Sequence, residues 1–171
     1  MFRLKAFLFD YMLILLYAVV LFVISVLLFP SLQNLFQGSL VVSQLTGFMV
    51  ITFPVSLYFI ICDSRLVGRT FGKKKVGIQV VNQLGKPLSI PHSIMRIILK
   101  FLPWELSHFL VYRLVNIGDE VVPLLLNIIG GVIYALIFAY ILTAIFTKRK
   151  QSLYDLICRT QVIIVNENHE K

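Results

Sequence analysis

The chain has 171 residues, 58% of them apolar and 14% charged, with a formal net charge of +8. A mean hydropathy of +0.89 excludes a water-soluble domain of this length and points to an integral membrane protein. The basic residues flank apolar stretches, where they set topology and meet anionic lipid head groups, so membrane lipids are the expected partners and nucleic acid is not.

The first apolar run contains 52 uncharged residues, Tyr11 to Cys62. A span needs about 20 apolar residues, so the run divides into helices over roughly 6–29 and 41–61, with Pro30, Ser31, Asn34 and Gly38 supplying the turn. It is too long for the apolar core of a secretory signal peptide, and the first helix is expected to stay attached. Arg3 and Asp10 head this helix. Seven residues apart, they lie two turns apart on nearly one face, about 10 Å along the axis. A carboxylate one turn inside a bilayer helix costs roughly 2.5–3.5 kcal/mol, so Asp10 calls for a partner or a function. Arg3 reads either as an anchor whose guanidinium reaches water or as part of a charged site. Asp10 reads either as an acceptor between helices or as a group that binds an ion or proton.

The loop 63–91 is basic. Its segment GRTFGKKK, Gly68 to Lys75, has one residue too few between its glycines for a phosphate loop, and Lys74 where a magnesium-binding hydroxyl belongs, so nucleotide hydrolysis is rejected. Lys73, Lys74 and Lys75, and further on Lys100, are expected to meet lipid phosphates or an acidic partner. Lys75 to Val81 reads as a strand, Asn82 to Lys86 as a turn around Gly85, and Pro87 to Ile90 as a short returning strand.

The stretch Pro91 to Asn116 carries Arg96, Lys100, Glu105, His108 and Arg113. With a span over 93–115, every Lys and Arg except Arg113 falls on one side, with both termini cytoplasmic. A re-entrant or surface helix is the alternative. Arg96 and Lys100 are natural countercharges for Asp10 and Asp155. Glu105 and His108, at i and i+3 just after Pro103, read either as a proton relay or as markers of a helix end at the outer interface beside Trp104.

The last span, 121–146, lies in a charge-free stretch with Asn127, Gly131 and Tyr134 on one stripe, expected to pack against a neighbouring helix. In the tail 148–171, Thr160 to Val165 reads as a strand. A two-stranded hairpin alone is marginal, so this strand is expected to join the loop hairpin and bring Asp155 beneath the helices. Cys62 and Cys158 lack CxxC spacing and are expected to be reduced thiols facing the cytoplasm. His92, His108 and His169 are too dispersed for a metal site, no nucleophile constellation stands out, and neither a cofactor nor enzymatic activity is expected.

Taken together, RLKAFLFD with Arg3, Ala6 and Asp10, RTFGKKKVGIQVV with Thr70, Gly72, Lys73, Gly77 and Val80, then Gly85, Pro87, Ser89 and Arg96, and finally SLYDLICRTQVIIV with Asp155, Thr160 and Val162 resemble the RDD family of membrane proteins, named for an arginine and two aspartates. The resemblance implies that Asp155 is the second aspartate. It also implies transport, proposed broadly for members, with sodium/proton exchange attributed to some. Tyr154 stands where the family often has histidine, and Pro103 to Asp119 is longer and more polar than is usual. The expected architecture is a single all-α transmembrane domain, 1–171: a four-helix polytopic bundle in the cell membrane with a small cytoplasmic sheet from the 73–90 loop and the C-terminal strand. Arg3, Asp10, Arg96 and Asp155 are expected to cluster at the inner face and to serve transport of an ion or small charged solute. A membrane accessory or scaffold protein is the other reading. Four spans are few for a solitary carrier, so a homo-oligomer is expected.

Overall fold

The computed structural model describes residues 2–29, 34, 38–118 and 121–165. The turn expected at Pro30 and Ser31, together with Asp119, His169 and the tail beyond residue 165, lies outside the described residues. The described residues are mostly helical, and among them three stretches are long and apolar enough to cross a membrane: Phe2–Leu27, Leu40–Asp63 and Leu124–Phe146.

Helix α1 (Phe2–Val23) runs on into a π-helical turn, Ile24–Leu28. Helix α2 (Leu40–Gly47) starts at Ser39, whose hydroxyl accepts the Val42 N–H at 3.4 Å. It passes through a π-helical turn, Phe48–Thr52, into α3 (Phe53–Asp63). The turn sits just before Pro54, which has no N–H to offer the Val50 carbonyl one turn back. Tyr17 of α1 supplies the missing donor at 2.6 Å. The same repair recurs in α5 (Ile90–Ile117), a helix of 28 residues, about 42 Å long at 1.5 Å per residue. There Pro103 frees the Leu99 carbonyl, and the Tyr140 hydroxyl of α6 (Leu124–Phe146) donates to it at 2.5 Å. Away from water a freed carbonyl needs another donor, and in each case a hydroxyl from the adjacent helix supplies it. As a result α5 continues unbroken through Pro103.

The connection between α3 and α5 departs from the expected hairpin. Phe71–Val76 form a short helix, α4, where the strand was expected to begin, and Gly77 closes it in the left-handed conformation at φ 69°. Thr70 caps it by accepting the Lys73 N–H at 3.3 Å, and a cap followed about two turns later by a terminating glycine favours helix over strand. Strand β1 (Ile78–Asn82) pairs antiparallel with β2 (Thr160–Ile164), in register from Ile78–Ile164 to Asn82–Thr160. Residues 87–90 do not return as a strand. Pro87 and Leu88 make single bridges to Val81 and Ser64, because Pro87 has no N–H for a ladder and the Ser89 carbonyl already accepts the Ser93 N–H at the start of α5. The two-stranded ribbon is held by what it covers: Ile78, Val80, Val81 and Leu88 are fully buried. A last short helix, α7 (Leu153–Ile157), links α6 to β2.

Helix α6 turns Leu126 and Ile133 inward and sets Gly130 against Leu110. The stripe expected to pack points the other way: Asn127 and Gly131 are exposed and Tyr134 is 68% exposed. Apolar side chains gain little from facing protein rather than lipid, so apolarity does not mark the inward face of such a helix.

Candidate functional site

The charged residues gather where the helices meet the sheet. Asp155, fully buried on α7, accepts Arg3 Nη1 on Oδ2 at 2.9 Å and both Arg96 Nε and Thr160 Oγ1 on Oδ1 at 2.9 Å. Arg96 reaches onward with Nη1 to Asp63 Oδ2 at 3.0 Å, and Lys73 Nζ pairs with Asp63 Oδ1. The result is an alternating chain, Arg3–Asp155–Arg96–Asp63–Lys73, that ties α1, α7, α5, α3 and α4 together. Each buried carboxylate faces two cations, the condition under which buried ions repay their desolvation. The Arg96 guanidinium also lies over the Tyr154 ring at 5.2 Å, so an aromatic at position 154 contributes a face to the cluster.

Burial acts on the members outside the spans. It would raise the Asp155 carboxyl, yet Arg96 and Arg3, helped by the Thr160 hydroxyl, hold it below the usual carboxylate range. Burial pushes the Lys73 ammonium below the ordinary lysine range against the pull of Asp63.

Asp10 lies beside this chain rather than in it. It is 2% exposed, and its oxygens take neutral donors: Thr70 Oγ1 at 2.7 Å, the Gly72 N–H at 2.8 Å and the Tyr58 hydroxyl at 3.1 Å. Tyr58 in turn accepts the Phe71 N–H at 2.9 Å. The carboxylate therefore closes the first turn of α4, where free N–H groups and the helix dipole favour negative charge. Gly72 is what permits it. A Cβ there would overlap the Ala6 carbonyl oxygen and come within 2.9 Å of Asp10 Cγ, so the α4 backbone reaches Asp10 only without a side chain. Among the described residues no cation lies within ion-pair distance of Asp10, and the pairing of Arg96 or Lys100 with Asp10 does not form.

Among the described residues no carboxylate lies within ion-pair distance of Lys100 either; its ammonium rests on the Phe59 ring at 3.6 Å. Of the lysines expected at head groups, Lys74 and Lys75 are exposed, whereas Lys73 is buried against Asp63 and Lys100 points among aromatic rings. Glu105 and His108 lie three turns along α5, away from the cluster. Glu105 accepts the Thr52 hydroxyl, its carboxylate is 3.8 Å from His108 Nδ1, and the imidazole packs on Trp104 at 4.7 Å.

Two cavities touch the cluster. One of about 90 Å³ is lined by Arg3, Asp10, Lys73, Arg96, Lys100 and Tyr154. A second, of about 160 Å³, lies between α1, α3 and α5 among Thr52, Phe101 and Trp104. Asp10, Lys100, Phe7 and Phe59 border both. Sequence reasoning missed Asp63, although it ends the uncharged run as Asp10 begins it, and the same cost of charge at a membrane face applied to it. It also gave no role to Tyr58, Thr70 or Gly72 as partners of Asp10.

The family model for the RDD family matches residues 1–159, a stretch that contains every member of the ion-pair chain. Comparisons with curated proteins and with solved structures find no match.

Proposed function

The chain belongs to the RDD family, and from that premise we propose that it transports an ion or small charged solute across the cell membrane past the cluster of Arg3, Asp10, Arg96 and Asp155. The observation that carries this reading is the pair of cavities bordered in common by Asp10 and Lys100. They run from the charged end of the bundle in among the spans, next to groups that membranes retain at a cost.

Four spans with both termini cytoplasmic accord with the pairing of β1 with β2. The two strands must share a side, so if α6 crosses the membrane, α5 crosses as well. Arg3 bonding to Asp155 supports the same side for the start of α1, and the concentration of Lys and Arg there favours the cytoplasmic one. The four charges of α5 set it apart from the three apolar helices, and Arg96 and Lys100 sit at its cluster end. The test is flux in vesicles holding the purified protein, followed with labelled sodium, with a pH dye and with labelled chloride. Asp10→Asn and Lys100→Met are expected to abolish it. Flux that both variants leave intact, with the protein folded, sinks the assignment of the site.

A second reading is a membrane accessory protein. It is favoured by Lys74 and Lys75 lying exposed on α4 with the exposed Phe71, whose ring the Lys75 ammonium overlies at 5.7 Å, a surface suited to anionic head groups. Under this reading, reversing both lysines to glutamate removes function and Asp10→Asn does not.

A further inference from the structure

We propose that the 90 Å³ cavity is a binding site for one small inorganic anion, of phosphate size or less. This names the class of solute for the transport reading and rests on it for its role in passage, though not for binding. The side chains bordering the cavity include four cations, Arg3, Lys73, Arg96 and Lys100, and one acid, Asp10. Behind them, Asp63 and Asp155 neutralise Lys73, Arg96 and Arg3 only in part, because two carboxylates are shared among three cations. Even with Asp10 included, four cations stand against three carboxylates. In a low-dielectric setting one uncompensated positive charge is costly, and an anion held in the cavity offsets it.

Two donors are left over on the same cavity. Among the described residues, Arg3 Nη2 is buried with no hydrogen-bond partner, and the Lys100 ammonium lies against the rings of Phe59 and Phe101 with no hydrogen bond. Asp10 does not compete for them, since its oxygens are occupied by Thr70, Gly72 and Tyr58. The size is suitable: at about 30 Å³ per water, the cavity holds the equivalent of about three waters, enough for chloride, nitrate or phosphate and too small for gluconate. A cation would meet four positive side chains and a single carboxylate that already accepts three hydrogen bonds.

The experiment is calorimetric titration of the purified full chain in detergent with sodium chloride, nitrate and phosphate, at constant ionic strength balanced by sodium gluconate. Saturable binding of at least one of the three, near one per chain and absent for gluconate, is expected. Lys100→Met is expected to weaken it at least tenfold and Lys100→Arg to retain it. Lys100 has no ion-pair partner among the described residues, so its substitution leaves the ion-pair chain in place. Arg3→Met is a second variant that should weaken binding, read only where its unfolding temperature matches that of the unaltered chain. Three anions that behave like gluconate, or a Lys100→Met variant that binds as tightly as the parent, overturn the site. Binding without vesicle flux overturns the transport reading alone, and cation flux without anion binding overturns the anion site alone.

Discussion

The Asp10 carboxylate accepts the Gly72 N–H at 2.8 Å across 62 residues of sequence, joining the first helix to the loop that follows the second span. The charge that makes Asp10 conspicuous is held by the start of α4, not by a cation. Gly72→Ala forces a Cβ into the Ala6 carbonyl and is expected to destabilise by about 1–3 kcal/mol, as overpacking does. Asp10→Asn keeps the shape but loses charge-assisted bonds and should cost about 1–3 kcal/mol. Chemical unfolding in detergent measures both, and a Gly72→Ala protein as stable as its parent contradicts the close approach.

Removing the hydroxyls that serve the proline-freed carbonyls tests whether those bonds matter. Tyr17→Phe and Tyr140→Phe are each expected to cost about 0.5–2 kcal/mol, the range of hydrogen bonds inside membranes. Unfolding shows the loss. In Tyr140→Phe, added flexibility of α5 around Pro103 should appear as faster amide exchange near Leu99.

Arg96 bonds Asp155 through Nε and Asp63 through Nη1. Arg96→Met leaves two buried carboxylates short of a cation and is expected to cost about 3–5 kcal/mol. Lysine presents a single ammonium in place of a planar fork, so Arg96→Lys should recover less than half of the loss. Equal stability of Arg96→Lys and the parent would mean that the bridge is not made by the guanidinium.

The acid side of the stability profile should report Asp155. Its carboxyl lies below the usual range in the folded chain, so its contribution is complete above the unfolded value of about 3.9 and is lost as the pH falls below that towards the folded one. The difference in unfolding free energy between the parent and Asp155→Asn is expected to stay constant from pH 7 to about 4 and to shrink at lower pH. A difference already shrinking between pH 7 and 5 contradicts the assignment.

Topology is testable with single cysteines after Cys62 and Cys158 are replaced by alanine. Leu84 is 80% exposed in the turn after β1, and Val121 is 93% exposed just before α6. Leu84→Cys is expected to react with an impermeant maleimide only in inside-out vesicles and Val121→Cys only in right-side-out ones. Labelling of both from one side means that α5 does not cross.

The sequence by itself determined the three apolar spans, because hydropathy adds up locally and needs no knowledge of neighbours. It also named Arg96 among the countercharges for Asp10 and Asp155 and set β2 against the loop, since lone charges and lone strands next to apolar helices have few places to go. Only the tertiary structure decided which charge meets which. Asp63 entered the ion-pair chain and Asp10 left it for Thr70, Gly72 and Tyr58, choices set by distances across five elements that no spacing along the chain encodes. The outward turn of Asn127 and Tyr134 was hidden for a related reason: lipid and protein are almost equally apolar, so the side of α6 that faces the bundle is chosen by fit rather than by hydropathy.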